Sequence, residues 1–239
     1  MALHEGPRPA REPGKAGEAG ARGRGRATIA AALGLVLASC LAGCSTSVNY
    51  VGTTRQGVFF KVPKNWDVFD AEALKRVGLA VDAAANTQAA ASGSSYTVYT
   101  SLAASSRRVV EKGTLNLFGG NAWALANVVS FGPSDQSSMS LAGLNDLLFP
   151  LDQWQQDGLS VQQIGSTKLI VKGALRGSRV AFQADTPSGT LAFEQVAFIN
   201  SPTNKAWDLA VGCSLACFQA HRRVIDGIVK SFTVTARGS

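Results

Sequence analysis

The chain has 239 residues, 46% of them hydrophobic and 16% charged, with a formal net charge of +7. Six of the 23 basic and three of the 16 acidic residues precede Cys44, so the remainder keeps 17 against 13 and a net charge of +4. That modest excess, with no recognition motif beside it, excludes a nucleic-acid partner; the 196 residues from Cys44 onward hold all eighteen aromatic residues and suit one domain with a sizeable core.

Met1 to Arg26 is rich in Gly, Ala, Arg and Glu without apolar periodicity, and reads as disordered. Arg22, Arg24 and Arg26 then form a basic flank before the uncharged run Ala27 to Cys44, ATIAAALGLVLASCLAGC. Its last four residues, Leu41-Ala42-Gly43-Cys44, resemble the bacterial lipoprotein motif, in which the cysteine sulfur receives a diacylglyceryl group and cleavage makes that cysteine the N-terminus. The competing reading is a retained transmembrane helix, but the run is shorter than the roughly 20 residues a bilayer span needs. One myristoyl-sized chain binds membranes only marginally and two give stable anchoring, so lipid rather than charge is expected to hold the protein at the membrane. Cys44 is the expected lipidation site. Residues 1–43 are read as leader and signal peptide, 44–50 as lipidated tether and 51–239 as a single envelope domain.

Tyr50 to Val62 is expected to be extended, with Val58, Phe59, Phe60 and Val62 as strand-favouring residues, and Pro63-Lys64-Asn65 to turn the chain. Trp66 to Phe69 resumes an extended pattern. Asp70 is placed to cap a helix from Ala71, in which Leu74, Val77 and Val81 share one face. Asp67, Asp70 and Glu72 could form a carboxylate cluster for acid/base or metal chemistry; complementing the helix dipole, with Glu72 near Arg76, is the simpler reading. Ala83 to Ser95 reads as a helix end and a flexible loop. Tyr96 to Leu102 is a strand candidate, and Arg107, Arg108 and Lys112 are a small basic run suited to a solvated surface. Trp123 to Phe131 predicts a strand, and Ser140 to Phe149 a helix with Leu141, Leu144 and Leu148 on one face, ended by Pro150.

Four strands follow: Ser166 to Lys172, Leu175 to Asp185, Thr190 to Asn200 and Lys205 to Val211. The turns between them are short, so the strands are expected to form an antiparallel meander. Leu169 and Val171 alternate with Lys168 and Lys172, and Val180, Phe182 and Ala184 with Arg179, Gln183 and Asp185, which predicts one wet sheet face. Counting 100° per residue from Phe218 puts His221 between Phe218, Ile225 and Ile228 on the apolar stripe of the last helix, where it should be buried.

The string VFFKVPKNW and the C-terminal CSLACFQAHRRVIDGIVKSFTV resemble exported lipoproteins of the PsbP/Mog1-like (LpqN-like) class. That resemblance implies an α+β fold, an antiparallel sheet with packed helices and a C-terminal amphipathic helix followed by a short strand. It also implies an accessory or binding role and transfers no catalytic residue.

The chemistry-bearing motifs are few. Gly212-Cys213-Ser214-Leu215-Ala216 resembles the hydrolase elbow G-x-S-x-G, but His221 follows Ser214 by two helical turns along the same helix and the preceding sheet is antiparallel, so Ser214 is better read as an N-cap. Cys213, Cys217 and His221 recur every four residues like metal ligands, yet only three are visible; in an exported chain Cys213 and Cys217 are expected to form a disulfide. Its geometry excludes both cysteines from one regular helix, so Cys213 is expected in the turn after the last long strand and Cys217 in the first helical turn. No phosphate loop, H-E-x-x-H or calcium loop is present, and no cofactor is expected. These readings point to a noncatalytic module on the extracytoplasmic face of a cell membrane, bound through Cys44, with an envelope protein, lipid or glycan as ligand. The alternative is an envelope hydrolase.

Overall fold

The structure, a computed structural model, describes residues 47–69, 71–78, 92–111, 114–201 and 203–235. Cys44, Asp70, Val81, Lys112 and most of the expected Ala83 to Ser95 loop lie outside the described residues. Thr46–Ser239 forms one compact unit.

The first described elements are β1 (Val48–Thr53) and β2 (Val58–Pro63). The stretch expected as one extended segment therefore doubles back as an antiparallel hairpin, Val48 facing Pro63 and Thr53 facing Val58. The reversal uses Gly57 at φ +68°, a left-handed conformation that glycine adopts without strain. After the turn at 64–65 come β3 (Asp67–Phe69) and α1 (Ala71–Arg76), then β4 (Tyr96–Ala104), the short β5 (Val110–Glu111) and β6 (Thr114–Leu115), and β7 (Trp123–Ser130). Two short helices follow, α2 (Pro133–Ser138) and α3 (Leu151–Gln156). The meander is β8 (Ser160–Lys172), β9 (Leu175–Thr186), β10 (Gly189–Ile199) and β11 (Lys205–Ser214). Then α4 (Leu215–Ala220), α5 (Arg222–Lys230) and β12 (Thr233–Val234) close the chain.

Seven strands form one antiparallel sheet in the order β3-β4-β7-β11-β10-β9-β8, and β1-β2-β12 form a second, smaller sheet. The architecture is α+β, with helices packed on an antiparallel sheet and a C-terminal helical segment leading into a short strand.

Neither face of the central strands is wet. On one face, Val196, Phe198, Trp207, Leu209 and Val211 pack with Val51, Phe60 and Val62 of the small sheet and Phe218, Ile225 and Ile228 of α4 and α5. On the other, Trp123, Phe182 and Phe193 pack with Phe149 and Leu151, the Phe149 and Phe193 rings 4.7 Å apart. Consequently nearly every residue of β10 and β11 is buried. On β9 the face expected to be wet is buried at Arg179, half-buried at Gln183 and exposed at Asp185. Each fully buried large side chain, such as Phe60, Trp123, Phe193 and Phe218, contributes about 1.5–3 kcal/mol relative to exposure. Leu169 and Val171, at the far edge on β8, face solvent instead.

Two helix expectations are corrected. Ser140 to Phe149 forms only a 3-10 turn at Gly143–Asp146. Its polar side chains capture local backbone: the Ser140 hydroxyl accepts from Gly143 N–H at 3.0 Å and Asp146 Oδ1 accepts from Leu151 and Asp152 N–H at 3.0 and 3.3 Å. Leu144 and Leu148 still reach the core, but from a loop, and Pro150 starts α3 rather than ending a helix. The C-terminal helix is also interrupted. At His221 (φ −106°, ψ 15°) α4 stops and α5 begins, so the uninterrupted 100° count fails and His221 is exposed, not buried.

Candidate functional site

The central strands carry four polar side chains on the face covered by the 140–149 loop: Ser178 on β9, Gln195 on β10, Asp208 on β11 and Asn127 on β7. Asp208 and Asn127 are wholly buried, and Gln195 and Ser178 nearly so. Register brings them together: Asn127 stands opposite Asp208, Ser178 opposite Ala197, and Gln195 one diagonal step from Asp208. Gln195 Nε2 donates to Asp208 Oδ2 at 3.0 Å and to the Leu144 carbonyl at 2.9 Å. Asn127 Nδ2 donates to the Leu147 carbonyl at 3.4 Å and the Ser178 hydroxyl to Asn145 Oδ1 at 3.4 Å. The row therefore ties the loop down onto the sheet.

Burial pushes the Asp208 carboxyl well above the usual carboxylate range, against a smaller opposing pull from the Leu209 N–H. Tyr99, opposite Asn127 on β4, has its phenol raised by burial and by the Asp208 charge. Asn127 Oδ1, Gln195 Oε1 and Asp208 Oδ1 have no hydrogen-bond partner among the described residues. A proton on Asp208 would reduce the surplus of acceptors, because it turns one acceptor oxygen into a donor. A neutral acid sealed under a loop can hold structure together.

The opposite face carries a charge cluster. Arg179 on β9 donates through Nε to Glu194 at 2.7 Å and through Nη2 to Asp226 of α5 at 2.6 Å, and Lys230 reaches Asp226 at 2.7 Å. Burial works against the Arg179 charge, but its hydrogen bonds to Asp226 and Glu194 leave its pKa raised. The Lys230 and Arg179 hydrogen bonds hold Asp226 below its ordinary value. Two cations balance two anions, and the cluster binds α5 to the sheet.

Cys213 and Cys217 are joined by a disulfide with Cα atoms 5.9 Å apart. Cys213 lies within β11 rather than in a turn after it, and Cys217 lies in the first turn of α4. Ser214 is the N-cap residue, without a side-chain cap bond, and its N–H donates to the Gly119 carbonyl at 3.1 Å. His221 is exposed beyond the end of α4. Of the carboxylates near α1, Asp67 pairs with Arg107 at 2.9 Å on the surface, and Asp70 is outside the described residues. Among the described residues no group of three His, Cys, Asp or Glu is placed to hold a metal ion.

Two hairpins present exposed apolar groups. On β8, Leu169 and Val171 are 70% and 78% exposed, with Lys168, Lys172 and Arg176 around them and no acidic residue between Asp157 and Asp185. β8 is also an edge of the large sheet. On β1, Tyr50 is 73% exposed and Val48 is exposed beside it. Sequence reasoning did not single out the buried row or Tyr50. For three of the four members the signal was one or two polar residues inside an apolar run, in ALANVVS, FEQVAF and WDLAVG.

No family model matches the sequence, and no curated protein matches it. Among solved structures, the chain is similar to cyanobacterial PsbP from a Synechocystis species, with 11% identity and a TM-score of 0.47 over 80% of this chain and 94% of that one. It is similar to LpqN, described as involved in cell envelope biogenesis of Mycobacterium tuberculosis, with 9% identity and a TM-score of 0.40 over 79% and 91%. It is also similar to the Saccharomyces cerevisiae Ran-binding protein Mog1p, with 11% identity and a TM-score of 0.42 over 80% and 96%. These are structures of the PsbP/Mog1-like class that the sequence resembles. No residue role passes from them to this chain.

Proposed function

We propose that this chain is a lipoprotein of the cell envelope, anchored through Cys44 on the extracytoplasmic side, that acts as a noncatalytic binding or accessory module. The observation that carries the binding part is the β8–β9 hairpin, a sheet edge with Leu169 and Val171 turned to solvent among cations. Exposed strand edges and contiguous apolar side chains are surfaces that other molecules cover. Several ionisable groups are already engaged: Asp208 in a buried row, Glu194 and Asp226 in ion pairs, Cys213 and Cys217 in a disulfide. The anchoring part is supported by the basic flank, apolar run and Leu-Ala-Gly-Cys ending at residues 22–44. No helix among the described residues is long and apolar enough to cross a membrane.

The anchor is tested by fractionating cells that make Cys44→Ala, which should accumulate precursor or release soluble protein; unchanged membrane retention at an unchanged mature mass would refute it. The binding reading is tested by placing a photoreactive residue at position 169 in living cells. One recurring adduct, identified by mass spectrometry and absent when the probe sits at exposed Ser134, is expected. Adducts indifferent to probe position would refute it.

A further inference from the structure

We infer that the outer face of the β1–β2 hairpin, formed by Val48, Tyr50, Phe59, Lys61 and Pro63, lies against an anionic lipid surface. The inference rests on the anchoring at Cys44 proposed above. Three observations lead to it.

The first is reach. Val48 is four residue steps from Cys44, so even a fully extended chain places the start of β1 within about 14 Å of a lipidated residue. The end of the hairpin nearest that point is fixed, because Lys64 N–H donates to the Ser47 carbonyl at 3.1 Å and Asn49 Nδ2 to the Lys64 carbonyl at 3.1 Å.

The second is the make-up of the face. In β1 and β2 the inward side chains Val51, Val58, Phe60 and Val62 are buried in the core. Those pointing the other way pair as Val48 with Pro63, Tyr50 with Lys61 and Gly52 with Phe59. Tyr50 is 73% exposed, and its ring sits under Lys61 with Nζ 5.1 Å from the centroid. An exposed aromatic ring with a cation over it, flanked by apolar side chains, suits the boundary between headgroups and acyl chains.

The third is charge. From Thr46 to Trp66 the chain carries Arg55, Lys61 and Lys64 and no acidic residue. All three cations are exposed, and no ion pair to any of them is found among the described residues. A face with this sign complements anionic headgroups, where each cation close to the surface contributes about a fivefold gain in partitioning.

The test uses the full lipidated chain reconstituted in phosphatidylcholine–phosphatidylglycerol vesicles. A bimane probe is attached at Tyr50→Cys or, as a control, at Leu169→Cys, and brominated lipids serve as quenchers while flotation reports anchoring. Quenching is expected at position 50 and not at 169. Adding Lys61→Glu and Lys64→Glu, or using phosphatidylcholine alone, should lower quenching at position 50 at least about fivefold while flotation persists. Flotation with an unquenched probe at position 50, or quenching indifferent to these charges, would overturn this inference alone. Loss of flotation would overturn the anchoring reading and this inference with it. Shielding of the probe that grows with protein density on the vesicles, without lipid quenching, would assign the face to a second copy and overturn the lipid contact.

Discussion

Replacing Asp208 by Asn should make the fold less sensitive to pH between about 4 and 7. Asp208 is wholly buried and its carboxyl is held well above its ordinary value by that burial. In the unfolded chain it titrates near pH 3.9. Above that pH the folded state retains a proton that the unfolded state has released, so stability falls as pH rises. The slope is about 1.4 kcal/mol per pH unit until the folded carboxyl ionises. Asn has the same shape as the protonated acid and does not titrate. Its carbonyl can accept from Gln195 Nε2, as Asp208 Oδ2 does at 3.0 Å, and its amide supplies a donor where Asn127 Oδ1 and Gln195 Oε1 lack one. At pH 4 the two proteins should agree within about 1 kcal/mol. As pH rises above 4 the variant should gain on the native protein for as long as the native acid stays protonated. Urea unfolding followed by tryptophan fluorescence at pH 4, 5, 6 and 7 measures the gap. A gap that stays constant across that range would refute the neutral buried acid.

Two further outcomes are expected. Replacing Cys213 and Cys217 together by Ser should lower the melting temperature while preserving the far-ultraviolet spectrum, since so short a loop restricts the unfolded chain by only about 2 kcal/mol; two titratable thiols in the exported, unreduced protein would refute the bond. Arg179→Met should cost about 3–5 kcal/mol in denaturant unfolding because Glu194 is left buried without its partner, and adding Glu194→Leu should restore much of that loss.

How much of this was legible depended on how local each cause is. The β8–β11 meander could be read because Gly173-Ala174, Pro187-Ser188-Gly189 and the Pro202 turn punctuate long strand-favouring runs. The expected helix at 140–149 failed because a leucine spacing cannot reveal that Ser140 and Asp146 bind neighbouring backbone. His221 was misplaced by extending one helical phase across a break that exists only in the folded chain. The buried row was least accessible, since Asn127 and Asp208 are 81 positions apart and meet only through the register of β7 and β11. The wet face expected on β8 and β9 holds at Asp185 but not at Arg179, which α5 covers, and the alternation on β8 does not show that Leu169 and Val171 lie at an uncovered edge.

The position of β11 bears on the order in which the chain can assemble. This strand sits between β7 and β10, and so joins β3-β4-β7 on one side to β10-β9-β8 on the other. Among the described residues it is also the last long strand, at residues 205–214. A chain made from its amino end therefore cannot seal the sheet until β11 has emerged. The partners of β11 wait with unsatisfied edges until then, and β12 can complete the small sheet only later still. Removing residues 205–214 would take out the seam of the fold rather than its margin.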